Sequence, residues 1–407
     1  MKPKIPITAF VGGKSDVRVL AQSYADARVV RVNLLCGGLA DEVGDDHSLW
    51  MDCAFDGFHD HLSARKKDNT RDWVQAYQGI SCFDKMCTAL PQRKPDQKLL
   101  NDFVGALLVK AMAVPKKRIA TLLTIPQLPI RHKSPTWRVN TQLLQATQSW
   151  LDGISAKSKP HLVLPVVITH RDQYWTNSAR AKIVKALTEA AATGVKTFWV
   201  VDRSLDDHCG QGPIENTMRR LILLHEQVRE AHPRCVVIAG PYWCLNLTLW
   251  CRGLADLLGM CLGSSYRYNT PYYFQPATKS RVAVMPLRRP VVMAPSFRDW
   301  LGKAASGLPE GHPAKAAFTD ILGNWVPLSD ARRTHAKMYT ATRYREWLDL
   351  LLSGAQDQRL GTLYSSLNDA YVLGCTLRRN AGILKDEAAG KAPGIVAQQH
   401  MLTCLPS

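Results

Sequence analysis

Two aspartates, Asp52 and Asp202, close short apolar runs, SLWMD and TFWVVD. A carboxylate in such a place can serve as nucleophile, general acid or general base if the fold turns it toward a substrate. Other polar residues follow similar runs. Gln127 comes after the run ending at Ile125, His170 and Arg171 after VLPVVIT, and Arg203 beside Asp202, with Asp206, Asp207 and His208 just beyond. Tyr242 and Trp243 follow VVIAG, and Ser264, Ser265 and Arg267 follow GMCLG. Each has a plainer reading. A strand-end aspartate often caps the next helix, His170 can be a satisfied rim histidine, and Tyr242 with Trp243 can be packing aromatics. The Asp206-Asp207-His208 run reads as a solvated loop, because adjacent residues rarely chelate one ion together. Convergence of several strand ends on one rim raises the set above its members.

Such a rim needs elements that deliver it. Short β-branched or apolar runs recur along the chain: Val29 to Cys36, Leu49 to Cys53, Ile119 to Ile125, Leu162 to Thr169, Thr197 to Val201, Cys235 to Ala239 and Leu257 to Leu262. Val282 to Met285 and Val291 to Met293 add to them, and the N-terminal segment reads as a first strand rather than a signal peptide. Helical periodicity lies between the runs. Residues 138–152 put Val139, Leu143, Leu144, Thr147 and Leu151 on one stripe, and residues 178–193 stop at Gly194 as a helix stops at a C′ glycine. Residues 213–231 open with Pro213 and Glu215, both suited to a first turn. Strands alternating with such helices pair in parallel through right-handed crossovers. The expected fold is therefore α/β, a (β/α)8 TIM-type barrel over residues 1–298. A helical C-terminal region, 299–407, extends or covers it. An open, doubly wound sheet is the alternative, although no Gly-x-Gly-x-x-Gly follows an early strand; Gly12-Gly13 and Gly37-Gly38 are simple turns.

Composition narrows the setting. Hydrophobic residues make up 46% of 407 and argue against disorder. No apolar run approaches the roughly 20 residues that span a bilayer. Eleven cysteines, an odd number with irregular spacing, include Cys36, Cys235, Cys244, Cys251 and Cys261 inside apolar segments. Free buried thiols in a reducing cytoplasm fit that pattern. There is no C-x-x-C, and Cys82 with Cys87 lacks a second ligand pair, so no metal or other cofactor is expected. Fifty-two Lys and Arg against 34 Asp and Glu leave a net charge of +18. Nucleic acid or an acidic protein would suit that balance, though the charge lies in scattered short groups.

Several segments resemble one family. Residues 235–264, CVVIAGPYWCLNLTLWCRGLADLLGMCLGS, are similar to the tRNA-guanine transglycosylase segment with outline Y-L-M-G-V-G, a helix, then R-G-x-D-x-F-D-C-V. Gly240 takes the place of the strand-end glycine and Arg252-Gly253 that of the R-G pair. LWMDCAFDGF resembles the family's T-D-S-G-G-F, with Asp52 on its aspartate. Residues 119–150 resemble the family's D-E-C turn and following helix, and residues 162–202 its V-Q-G-G and G-G-L units. The similarity covers about half the chain.

The departures carry as much weight. Family members exchange a base through an aspartate that attacks the ribose anomeric carbon. That aspartate falls at Gly259 of LLGMC, which has no side chain, and Asp256 is read as lying in the preceding helix. The base-recognising aspartate falls near Thr124 to Gln127, and the glutamine near Thr169-His170. The C-x-C-x-x-C zinc cluster has no counterpart, since residues 265–407 hold only Cys375 and Cys404. A scaffold kept without its chemistry resembles the transglycosylase-like ancillary components of type IV CBASS anti-phage operons. That resemblance implies a partner cyclic nucleotidyltransferase (CD-NTase), a QueC-like enzyme nearby, a link to 7-deazaguanine chemistry and a possible homodimer. On this reading Gln127, His170, Tyr242, Trp243 and Ser264 are the candidate nucleobase contacts. The alternatives are an active glycosylase or transglycosylase on tRNA or DNA using Asp52 and Asp202, and a metal-dependent barrel hydrolase using His170, Asp202 and His208.

Overall fold

The computed structural model describes residues 7–11, 27–31, 48–53, 79–92, 95–115, 119–130, 136–203, 214–241, 245–261 and 348–365, with short pieces elsewhere. These form a mixed α/β architecture around a curled, all-parallel sheet. Its strands are β1 (Ile7–Val11), β2 (Ala27–Arg31), β3 (Ser48–Asp52), β4 (Leu122–Thr124), β5 (His161–Ile168), β6 (Thr197–Asp202), β7 (Val236–Ala239) and β8 (Leu257–Cys261). Each pairs with the next in chain order, and Ile7 to Phe10 of β1 register against Leu258 to Cys261 of β8, which returns the sheet to its start. The eight described strands all precede residue 262; Val282 to Met285 and Val291 to Met293 lie outside the described residues.

Helices fill the crossovers that are described. Between β3 and β4 run α1 (Phe83–Gln92) and α2 (Gln97–Ala113), neither of them anticipated from the sequence. Then come α3 (Thr136–Asp152), α4 (Asp172–Trp175), α5 (Asn177–Ala192), α6 (Ile214–Ala231) and α7 (Leu245–Cys251). Local chemistry sets their ends. Asp96 caps α2 by accepting from the Leu99 amide at 2.7 Å, and Thr176 caps α5 through Ala179 at 3.1 Å. Gly194, at φ +94°, takes the left-handed position that ends α5, as its type foretold. The stripe expected on α3 is buried at Val139, Leu143, Leu144 and Thr147.

Strand alternation separates two cores. Leu49, Met51, Leu123, Leu162, Leu164, Val166, Ile168, Phe198, Val200, Val237 and Ala239 face outward to the helices. Phe10, Trp50, Val163, Val167, Trp199, Val201 and Ile238 form a separate cluster inside the curl. The described residues of the C-terminal region join the outer core: Leu348, Leu351 and Leu363 are buried in it, and Arg359 lies over the Trp250 ring at 4.7 Å. Residues 348–353 and 359–365 are helical, inside the 299–407 region expected to be so. Among the described residues no helix is long and apolar enough to cross a membrane.

Candidate functional site

The rim at the C-terminal ends of the strands is where parallel α/β sheets present chemistry. Below it, three aromatic side chains pack together inside the sheet. Trp50 and Trp199 meet edge to face at 5.2 Å, and Phe10 lies 6.0 Å from the first and 5.2 Å from the second. Burying two indoles would cost two unsatisfied N–H groups, and both are answered inside the sheet. Trp50 Nε1 donates to Thr124 Oγ1 at 2.7 Å, and Trp199 Nε1 to the Gly240 carbonyl at 2.8 Å. These aromatics were not singled out in the sequence. Their signal was present, since each sits an even number of residues from other inward positions.

The same alternation sorts the two candidate carboxylates. Asp52 is two residues beyond inward-facing Trp50, so it shares the interior face, and it is 2% exposed. Asp202 is one residue beyond inward-facing Val201, so it shares the outward face of Val200. It is 3% exposed and accepts a 2.6 Å hydrogen bond from Tyr174 Oη of α4. The structure therefore does not bring Asp52 and Asp202 to one point. Asp202 ties a strand end to the helical layer.

Gln127 and His170 also take separate places. After β4 the chain runs beside β5, donating from the Ile125 amide to the Val163 carbonyl and pairing Ile130 with Ile168. Gln127, 6% exposed, points from this segment to the outer layer, where its Nε2 donates to the carbonyls of Pro126 (2.9 Å) and Asn140 (3.1 Å). The His170 side chain is 60% exposed, with Nδ1 3.1 Å from Asp172. The stronger fixture there is buried Gln173. Its Oε1 accepts from the Thr169 amide at 2.9 Å, and its Nε2 donates to the Ile130 carbonyl. Tyr242, Trp243, Ser264, Asp206, Asp207, His208, Ser265 and Arg267 lie outside the described residues.

Two readings of the β7–β8 wall need correction. Asp256 is not in a helix: α7 ends at Cys251, and Asp256 directly precedes β8, at the opposite end of the sheet from the rim. There it accepts from the Val237 amide at 2.7 Å and pairs with Arg229 at 2.6 Å. Gly259 does not end its strand but stands third of five in β8. It shares the inward face of Leu257, and a Cβ on it would come within 2.5 Å of the Gly240 carbonyl oxygen and 2.7 Å of its carbon. Real Cβ atoms do not approach backbone that closely. Gly240 itself has φ +85°, where a side chain is strained, and its carbonyl is held by Trp199. The glycine at the expected nucleophile position is thus demanded by the neighbouring backbone.

Burial disarms three of the described thiols, Cys53, Cys87 and Cys251. Cys53, Cys82, Cys87, Cys235 and Cys251 are all unbridged. Burial pushes the Cys53 thiol up, with the Asp52 charge adding to it. Burial likewise pushes Cys87 to about 11 and Cys251 to about 12. A thiol held protonated at neutral pH is a poor nucleophile.

Comparison with family models, with curated proteins and with solved structures returns no match.

Proposed function

We propose that the chain is a (β/α)8 TIM-type barrel with a C-terminal helical extension, remodelled to bind a partner without exchanging bases. The observation that carries this reading is the closure at Gly259, where a side chain would meet the Gly240 carbonyl oxygen at 2.5 Å. A transglycosylase needs a carboxylate that reaches the anomeric carbon from that strand. Loss of the aspartate alone would leave a gap, whereas here the main chain and the Trp199 bond occupy the space. The outward turn of Asp202 supports the same reading, because it deprives Asp52 of the second carboxylate that an active glycosylase would use.

With exchange chemistry removed, the remaining role is binding. The resemblance to type IV CBASS ancillary components makes the partner a cyclic nucleotidyltransferase in the cytoplasm, and the role support of its 7-deazaguanine-related modification. The +18 charge favours an acidic partner surface. Two measurements test the proposal. The full chain and the nucleotidyltransferase are expected to co-elute at micromolar concentration, and no complex would overturn the partner assignment. Labelled guanine incubated with bulk tRNA is expected to remain unincorporated. Incorporation lost in Asp52→Ala and Asp202→Ala would establish the active alternative instead.

A further inference from the structure

A second feature lies outside the sheet, independent of the rim. Helices α3 and α5 splay over the outer face of β5 and leave a cavity of about 650 Å³ between them. That volume falls in the range of small-molecule sites, on the order of 300–1,000 Å³. Its floor is Leu164 and Val166, and one wall carries Leu144 with the indole of Trp137. The groove therefore has an apolar base and an aromatic side, suited to a flat ring.

Gln127 supplies the polar anchor. It is 6% exposed and lines the cavity. Its orientation is determined chemically: both groups next to its amide nitrogen, the carbonyls of Pro126 and Asn140, are acceptors, so the atom facing them must be the NH2. The Oε1 is then the remaining polar atom, and it has no hydrogen-bond partner among the described residues. This oxygen opens on the cavity, where a donor on a ligand can reach it. Asn140 cannot turn to help. Its own amide is committed to both backbone groups of Leu128, at 2.7 and 3.0 Å.

Charge narrows the ligand. Among the described residues no Lys, Arg or His lines the cavity, although the chain carries 52 Lys and Arg against 34 Asp and Glu. The charged lining groups among the described residues are Asp152 and Glu189, and exposed Lys185 lies 3.9 Å from Glu189. Such a lining disfavours phosphates and carboxylates and accommodates neutral or cationic groups. We infer that the α3–α5 cavity is a binding site for a planar heterocycle that bears an N–H donor and no acidic group, with Gln127 Oε1 as acceptor and Trp137 and Leu164 as apolar contacts.

The test uses a matched pair of probes on the full chain, 2-aminobenzimidazole and benzimidazole-2-carboxylate, followed by calorimetry and ligand-observed NMR. The amine is expected to bind saturably at up to millimolar concentration, and the acid about tenfold more weakly or not at all. Ala186→Phe, on a partly exposed stretch of α5, is expected to fill the cavity and abolish binding with an unchanged melting temperature. Gln127→Met is expected to weaken binding about tenfold, because the heterocycle loses its acceptor. No saturable binding of the amine, equal binding of the acid, or undiminished binding in Ala186→Phe would each overturn the site. None of these outcomes bears on nucleotidyltransferase binding, so the two proposals fail separately.

Discussion

The end of β3 and the wall from β6 to β8 face the same rim and are built in opposite ways. At β3 the last residue, Asp52, follows inward-facing Trp50 by two and keeps its carboxylate on the interior face. Across the sheet the last residue of β6, Asp202, is spent on Tyr174 in the outer layer, and the inward positions nearby are taken by Trp199, Gly240 and Gly259. One side retains a group that could meet a ligand. The other has become a tight seam between backbones. A rim can therefore be filled by backbone as well as by side chains.

The largest expected effect comes from opening that seam. Gly259→Ala forces either β7 or β8 to shift and should cost about 3 kcal/mol or more, read as a lower urea midpoint; a change under about 1 kcal/mol would mean that the wall is not closed. Acid should act next, through His225 of α6, the helix that leads from β6 to β7. Burial, reinforced by the Arg229 charge and opposed by a hydrogen bond to the Leu254 backbone, lowers its pKa from 6.5 to about 3. The unfolded chain takes up a proton near pH 6.5 that the folded chain refuses until about pH 3. This contribution is therefore full above pH 6.5 and is lost as pH falls, at roughly 1.4 kcal/mol per unit, or about 2 kcal/mol by pH 5. His232, also lowered by burial, acts in the same direction. Urea unfolding at pH 7 and pH 5 checks the sign, and His225→Gln should flatten the slope. Tyr174→Phe should have the smallest of these effects, about 1.5 kcal/mol, because the buried Asp202 carboxylate loses one charge-assisted bond. If that variant instead left stability unchanged and altered ligand binding, Asp202 would belong with Asp52 at the rim.

Much of the scaffold was legible before any coordinates. The run Thr197 to Val201 falls one residue short of β6, α3 and α5 lie within two residues of their periodic stripes, and Gly194 ended its helix as its type requires. Other boundaries slipped where the signal is ambiguous. VVRVNLLC stays mostly apolar as far as Cys36, yet its strand spans Ala27–Arg31, and the run from Ile119 to Ile125 contributes only Leu122–Thr124. Runs without clean alternation have no period to mark their ends. Helices α1 and α2 were passed over although α2 carries a regular buried stripe, Leu100, Phe103, Val104, Leu107, Leu108 and Ala111, because further apolar residues off the stripe, such as exposed Val109, blur its period.

Residue types and order by themselves determined the parallel α/β class, the strand ends bearing Asp52 and Asp202, and the glycine at position 259, because propensity and period are local properties. Which aspartate looks inward, why position 259 admits no side chain, and that Gln127 opens onto a cavity between two helices were decided only by the tertiary structure. Each depends on groups distant in sequence: Tyr174 for Asp202, the Gly240 carbonyl for Gly259, and Asn140 for Gln127. A residue's chemistry is written in its type, but its availability is set by what the fold places against it.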